Sequence, residues 1–188
     1  MAECAIMIAL SFALSWIVLW EMPAGGSITL ASMLPMMLVG IKYGPKIGAG
    51  TAFVYSLSQL AQAIIKGNVF VYCNSALVVV ICVLFDYVVP FTVLGLAGAL
   101  GRKTNLGAYI GMLAVTLVRF LCHFVTGIVI WGQWAPEGMG KAVYSFVYNG
   151  SFLAPDFAIC LAVAIPLLQV KQIRKIIGFP QLEPQKED

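Results

Sequence analysis

Between Lys66 and Arg102 the chain reads GNVFVYCNSALVVVICVLFDYVVPFTVLGLAGALG (Gly67–Gly101), a largely apolar run whose one charged residue is Asp86 and whose one proline is Pro90. A helix needs about 20 residues to cross roughly 30 Å of hydrocarbon, so this stretch is too long for one upright span and too short for two with a loop between them. It reads as one long helix, tilted or kinked at the proline. The same logic extends over the whole chain. Of 188 residues, 61 % are hydrophobic and only 10 % are charged, against about 25 % charged in soluble domains, and the mean hydropathy is +0.96. One soluble core of that size cannot hide so much apolar surface, so the bilayer must solvate it. The net charge of +3 is small and scattered, which excludes a nucleic-acid footprint. Cys4, Cys73, Cys82, Cys122 and Cys160 form no CxxC pair and point to neither a disulfide framework nor zinc.

Reading outward between the charges gives a single bundle of six transmembrane helices, an all-α membrane protein, over residues 1–170. The spans run from about Ala2 to Trp20, Ile28 to Ile41, Ile47 to Ile65, from near Tyr72 through the run quoted above, Leu106 to Trp131 and Ala142 to Val170. Residues 171–188, with Pro180 and Pro184, read as a polar, disordered cytoplasmic tail. A cleavable signal peptide is the rival for the first span, but the chain start lacks a basic region and a convincing cleavage site. Lys42 and Lys46, Arg102 and Lys103, and Lys171, Arg174, Lys175 and Lys186 fall on one side of such a bundle, with Lys66 and Lys141 on the other. Short cytoplasmic loops carry the excess of Lys and Arg, so both termini are placed in the cytoplasm.

Polar residues concentrate in HFVTGIVIWGQWAPEGMGKAVYSFVYNGSFLAPD (His123–Asp156). His123 precedes Trp131 by eight residues and Asn149 follows Lys141 by eight, about 12 Å along each helix. Both side chains therefore reach similar depth, and His123, Tyr144, Tyr148 and Asn149 can converge in an outward-opening cavity roofed by Trp131 and Trp134, joined by Asp86 and Tyr87. Ionisable residues at membrane depth are costly and usually face a bundle interior or a pathway, which singles out Asp86, Arg119 and His123. Plainer readings stand beside these. Asp86 can simply neutralise Arg119, His123 can be a core histidine satisfied by its neighbours, the aromatics can be interfacial anchors, Glu137 can be a solvated loop charge, and Asp156 a polar group tucked into the bundle. An aromatic cage with one carboxylate suits a flat heteroaromatic cation. With no HExxH, GxSxG or Walker A motif, binding is favoured over catalysis, and concentrative uptake would need an ion gradient or a separate motor.

PAGGSITLASMLP (Pro23–Pro35), FDYVVPF around Asp86, HFVTGIVIWGQWAPEGM and YSFVYNGS resemble the thiamine-specific S components of energy-coupling factor transporters, small six-helix vitamin-binding subunits. The resemblance spans most of the chain. It implies thiamine as bound ligand, with no cofactor, and ligand contacts at Asp86, Tyr87, His123, Trp131, Tyr144 and Asn149, with Tyr55, Trp134, Glu137 and Tyr148 as further candidates. Tyr55 stands where the family has tryptophan. It also implies partners, a transmembrane T component and two cytoplasmic ABC-type ATPases, for which Ala5, Ala9 and Ala13 offer a small-residue stripe on the first span. A subunit for another vitamin, such as riboflavin, and an intramembrane enzyme using Asp86 and His123 are the competing functions.

The charge asymmetry makes a direct statement about topology. In a cysteine-free background, Lys66→Cys or Lys141→Cys is expected to react with an impermeant thiol reagent added from outside, and Lys42→Cys or Arg102→Cys is not. The reverse labelling pattern overturns the orientation.

Overall fold

The computed structural model describes residues 1–23, 25–67 and 72–180. Seven helices and one hairpin are present among the described residues: α1 (Ala2–Ser15), β1 (Val18–Glu21), β2 (Ser27–Thr29), α2 (Leu34–Tyr43), α3 (Pro45–Lys66), α4 (Ala76–Leu96), α5 (Asn105–Val129), α6 (Lys141–Leu167) and α7 (Lys171–Ile177). Three helices, α4, α5 and α6, are long and apolar enough to cross a membrane, with mean hydropathy 2.6, 1.9 and 1.8. α3 has the length, 22 residues, but carries Ser56, Ser58, Gln59 and Gln62. α1 and α2 are apolar and shorter, 14 and 10 residues. The fold is thus mostly helical and suited to a membrane.

Two of the expected spans are shorter than their apolar text, because the chain between them turns back on itself. Val18–Glu21 pairs antiparallel with Ser27–Thr29, Trp20 opposite Ile28 and Glu21 opposite Ser27. Val18, Trp20, Ile28 and Thr29 are β-branched or aromatic, residue types that favour a pleated surface. Gly25, at φ 96°, supplies the left-handed backbone of the turn, where Met22 N–H donates to the Gly26 carbonyl at 2.6 Å. The first span therefore ends at Ser15 rather than Trp20, and the second begins at Leu34 rather than Ile28. Other boundaries follow local chemistry. Gly44, at φ 90°, separates α2 from α3, and Pro45 opens α3. Gly67 ends α3 in the left-handed region. Thr104 caps α5 by accepting from Gly107 N–H at 3.1 Å.

The start of the expected tail is ordered. α7 is anchored by Arg174, 4 % exposed, whose guanidinium donates to Asn105 Oδ1 at 2.7 Å, the Leu168 carbonyl at 2.9 Å and, through Nε, the Pro180 carbonyl at 2.8 Å. An arginine so fully engaged holds the segment on the bundle. The remainder of the expected tail, residues 181–188, lies outside the described residues.

At one end of the bundle the backbones of four helices touch. A Cβ on Gly95 of α4 would lie 2.1 Å from the Gly48 carbonyl oxygen of α3, one on Gly40 of α2 would lie 2.2 Å from Gly95 O, and one on Gly111 of α5 would lie 1.8 Å from Ala97 O. Close approach of this kind is how helices associate where burial from water gives no drive. The basic loops gather at this end, with Arg102 against Gly44. At the other end, Lys66 pairs with Glu21 of the hairpin at 2.9 Å.

Because the atoms opposite Gly95 are backbone and cannot rotate away, Gly95→Ala is expected to lower stability by about 1–3 kcal/mol, the scale of overpacking. Gly50→Ala, with nothing within 4 Å of the added carbon, is the neutral control. Thermal unfolding in detergent checks both, and equal midpoints refute the junction's role.

Candidate functional site

The site begins with a defect in α4. Pro90 has no N–H to give the carbonyl four residues back, that of Asp86, and the helix widens into a π turn over Val83–Val88 before resuming at Val89. That turn places Asp86 against α5, where Arg119, His123 and Thr126 lie at i, i+4 and i+7 on one face. Asp86 Oδ1 accepts from Thr126 Oγ1 at 2.5 Å and meets His123 Nδ1 at 3.1 Å, while Oδ2 accepts from Trp131 Nε1 at 3.1 Å. Arg119 Nε sits 3.4 Å from His123 Nε2. An arginine N–H can only donate, so Nε2 accepts and Nδ1 carries the proton it gives to Asp86. A neutral imidazole thus stands between a cation and an anion, and the direct pairing of Asp86 with Arg119 is replaced by a relay through His123. Arg119 also lies over the Phe91 ring, 4.4 Å from its centroid.

The second wall is α6. Tyr144, Tyr148, Phe152 and Asp156 recur every four residues and form one stripe facing the cavity. Ring centroids of Tyr144 and Tyr148 are 5.7 Å apart, and those of Tyr148 and Phe152 6.1 Å. Asn149 Nδ2 donates to the carbonyls of His123, at 3.1 Å, and Ser145, at 2.9 Å, stitching α6 to α5. Gly127 makes this approach possible, since a Cβ there would come within 2.0 Å of Ser145 Oγ.

The third wall is polar and comes from α1, α3 and the hairpin. Ser15 Oγ pairs with Gln62 Oε1 at 3.1 Å and accepts from Gln59 Nε2 at 3.0 Å. Lys66, Gly25, Gly26, Ser27, Thr29 and Ser32 complete the lining. Above Asp86, Trp131 opens a short 3₁₀ turn, Trp131–Trp134, and its ring meets that of Tyr72 edge-on at 6.0 Å.

Asp86, Tyr87, His123, Trp131, Tyr144, Tyr148 and Asn149 therefore line a single cavity, together with Arg119 and Asp156. Three other candidates do not. Tyr55 is fully buried and packs edge-on against Phe91, 5.7 Å between centroids, with Phe91 between it and the space. Trp134, 54 % exposed, meets the Tyr72 ring edge-on outside the lining, and Glu137 is exposed on the loop. Sequence reasoning missed Thr126, one turn beyond His123 on the same face, and Gln59 and Gln62, whose spacing of three in an apolar helix was the available signal. Among the described residues no three His, Cys, Asp or Glu side chains converge as metal ligands would.

Apolar helices surround one cavity that mixes a carboxylate, a guanidinium, an imidazole and aromatic rings, a lining chemically suited to a small polar molecule. Comparison with known proteins agrees. Residues 1–177 match the family described as "Thiamine transporter protein". The chain is 31 % identical over 175 residues to thiamine transporter ThiT of Bacillus subtilis, covering 86 % of this chain and 85 % of that one. It is 26 % identical over 150 residues to ThiT of Lacticaseibacillus paracasei, covering 73 % and 71 %. A solved structure of ThiT from Listeria monocytogenes superposes with a TM-score of 0.71 at 22 % identity, over 95 % of this chain and 96 % of the other. The chain belongs to the thiamine transporter protein family, as the resemblance in its sequence implied. It is a multi-pass protein of the bacterial cell membrane, in a family of transporters and not enzymes.

Proposed function

We propose that this chain is the thiamine-binding membrane subunit of an energy-coupling factor importer, spanning the membrane six times with both termini cytoplasmic and its cavity open to the outside. One observation carries the reading: a carboxylate, Asp86, whose two oxygens are oriented by His123, Thr126 and the Trp131 indole at the edge of an aromatic-lined cavity. Thiamine is a flat heteroaromatic with a permanent positive charge on its thiazolium. Ring faces attract such a cation and a carboxylate supplies its counter-ion. In this reading Asp86 is the counter-ion, Trp131, Tyr144 and Tyr148 give the flat faces, and Tyr87, His123 and Asn149 read ring nitrogens and the hydroxyl.

Uptake against a gradient needs a motor, and the chain carries no nucleotide-binding loop. The T component and two ATPases of the resemblance would supply it. Ala5, Ala9 and Ala13 are all exposed on α1, which supports a stripe left open for another helix over one used for packing within this chain.

Titration of the purified protein, followed by tryptophan fluorescence, tests the ligand. Thiamine is expected to give a saturable change, and riboflavin and biotin none. Asp86→Asn is expected to cost roughly 1.5–3 kcal/mol of thiamine affinity, the scale of a charge-assisted contact. Saturable binding of riboflavin in preference to thiamine, or equal affinity in a folded Asp86→Asn protein, rejects the assignment.

Docking has its own test. A bulky ring at Ala9 holds a partner helix away without reaching the cavity, so Ala9→Trp is expected to bind thiamine normally while losing co-purification of the T component and ATPases, and losing uptake. Persisting assembly and uptake reject the stripe as an interface.

A further inference from the structure

Asp156 lines the cavity but takes no part in the hydrogen bonds around Asp86. It sits on α6 one turn beyond Phe152, is 2 % exposed, and faces the hairpin. Its Oδ1 accepts twice from one residue, from Thr29 N–H at 2.8 Å and Thr29 Oγ1 at 2.9 Å. Thr29 Oγ1 spends its hydrogen on Asp156, so Ser32 Oγ is the donor in their 2.7 Å contact. Between them Ala31 adopts φ 55°, the one positive φ outside glycine among the described residues. A side chain in that region is conformationally strained, and it persists only where its surroundings over-determine it. Here the surroundings are the two bonds to Asp156 on one side and the buried start of α2 on the other. This strained turn is the root of the hairpin, whose Gly25, Gly26 and Ser27 line the cavity. The tip rests on the same helix, since a Cβ on Gly26 would lie 2.7 Å from the Phe152 ring.

We infer that Asp156 is a positioning residue: through Thr29 it ties the root of the β1–β2 hairpin to α6 and so holds the cavity wall formed by Gly25, Gly26 and Ser27 in place. It acts as a fixed acceptor rather than as a charge offered to the ligand. Loss of the acceptor frees the strained turn to relax, and the wall moves with it. The effect on thiamine rests on the binding reading above, whereas the tether does not.

Two measurements on the full chain in detergent decide it. Amide hydrogen exchange without ligand reads the tether directly. Asp156→Ala is expected to speed exchange across residues 25–32 by about tenfold or more, the loss of one to two net hydrogen bonds. Stopped-flow tryptophan fluorescence reads its consequence. The same variant is expected to release thiamine about tenfold faster, with association changed by less than about threefold, because a displaced wall shortens residence more than it slows encounter. Asp156→Asn keeps an oxygen acceptor and removes the charge, and it is expected to recover most of the exchange protection and of the slow release. Thr29→Val, which keeps the N–H and removes the hydroxyl, falls between. If Asp156→Ala does not fold, the pair Thr29→Val and Asp156→Asn carries the test, with faster exchange expected in the first only. Unchanged exchange over residues 25–32 in Asp156→Ala overturns the inference. So does an Asp156→Asn protein as impaired as Asp156→Ala, which would make the charge the working element. A wild-type protein that fails to bind thiamine rejects the functional reading, and the exchange comparison still decides the tether.

Discussion

Backbone contact at Gly40, Gly48, Gly95 and Gly111 is the constraint on which the rest of this protein depends. Inside a bilayer, lipid tails compete with side chains as apolar partners, so helices gain cohesion from packing at short range. Here the added Cβ atoms would meet main-chain atoms within 2.2 Å on α2, α3, α4 and α5 alike. Four helices are thereby pinned at one end, close enough that no side chain intervenes. The cavity lies further along, lined by α3, α4, α5 and α6 together with Ser15 and the hairpin.

Opening a cavity among membrane helices invites a second problem, which is how to keep charge there. Asp86, Arg119 and Asp156 are buried by the protein, and an isolated ion in such a place is prohibitively costly. The solution is distribution. Asp86 receives hydrogen bonds from three side chains drawn from α5 and the turn beyond it. Arg119 reaches the same carboxylate only through His123 and rests its guanidinium on Phe91. Asp156 spends one oxygen on Thr29. Each of the three groups is thus oriented by neighbours within the protein itself.

The legibility of these features in the sequence differs by kind. Boundaries set by charge were readable, as at Lys46 and Lys66, which bracket the expected span Ile47 to Ile65 and mark the ends of α3. The hairpin was not, because Val18, Leu19 and Trp20 are as apolar as any span and nothing polar interrupts them before Glu21. Helical spacing set His123 and Asn149 at similar depth, and both line the cavity, but it left the depth of the α3 residues open. Tyr55 shares a face with Gln62 and Lys66, yet it lies seven residues below Gln62, about 10 Å at 1.5 Å per residue, and Phe91 closes the floor between them. Trp134 and Glu137 err in the opposite direction, beyond the rim. The relay through His123 was also hidden, since spacing of four between Arg119 and His123 was visible, but the placement of Asp86 depends on a π turn that only the loss of the Pro90 donor explains.

These two ends of the molecule impose opposite demands on one chain. The glycine junction tolerates no movement, because its contacts are main chain to main chain. At the hairpin end the contacts are side-chain hydrogen bonds and one exposed ion pair, Lys66 with Glu21 at 2.9 Å, and exposed pairs contribute little. Any opening of the cavity therefore costs least where the hairpin meets α3 and α6 and most where the glycines meet.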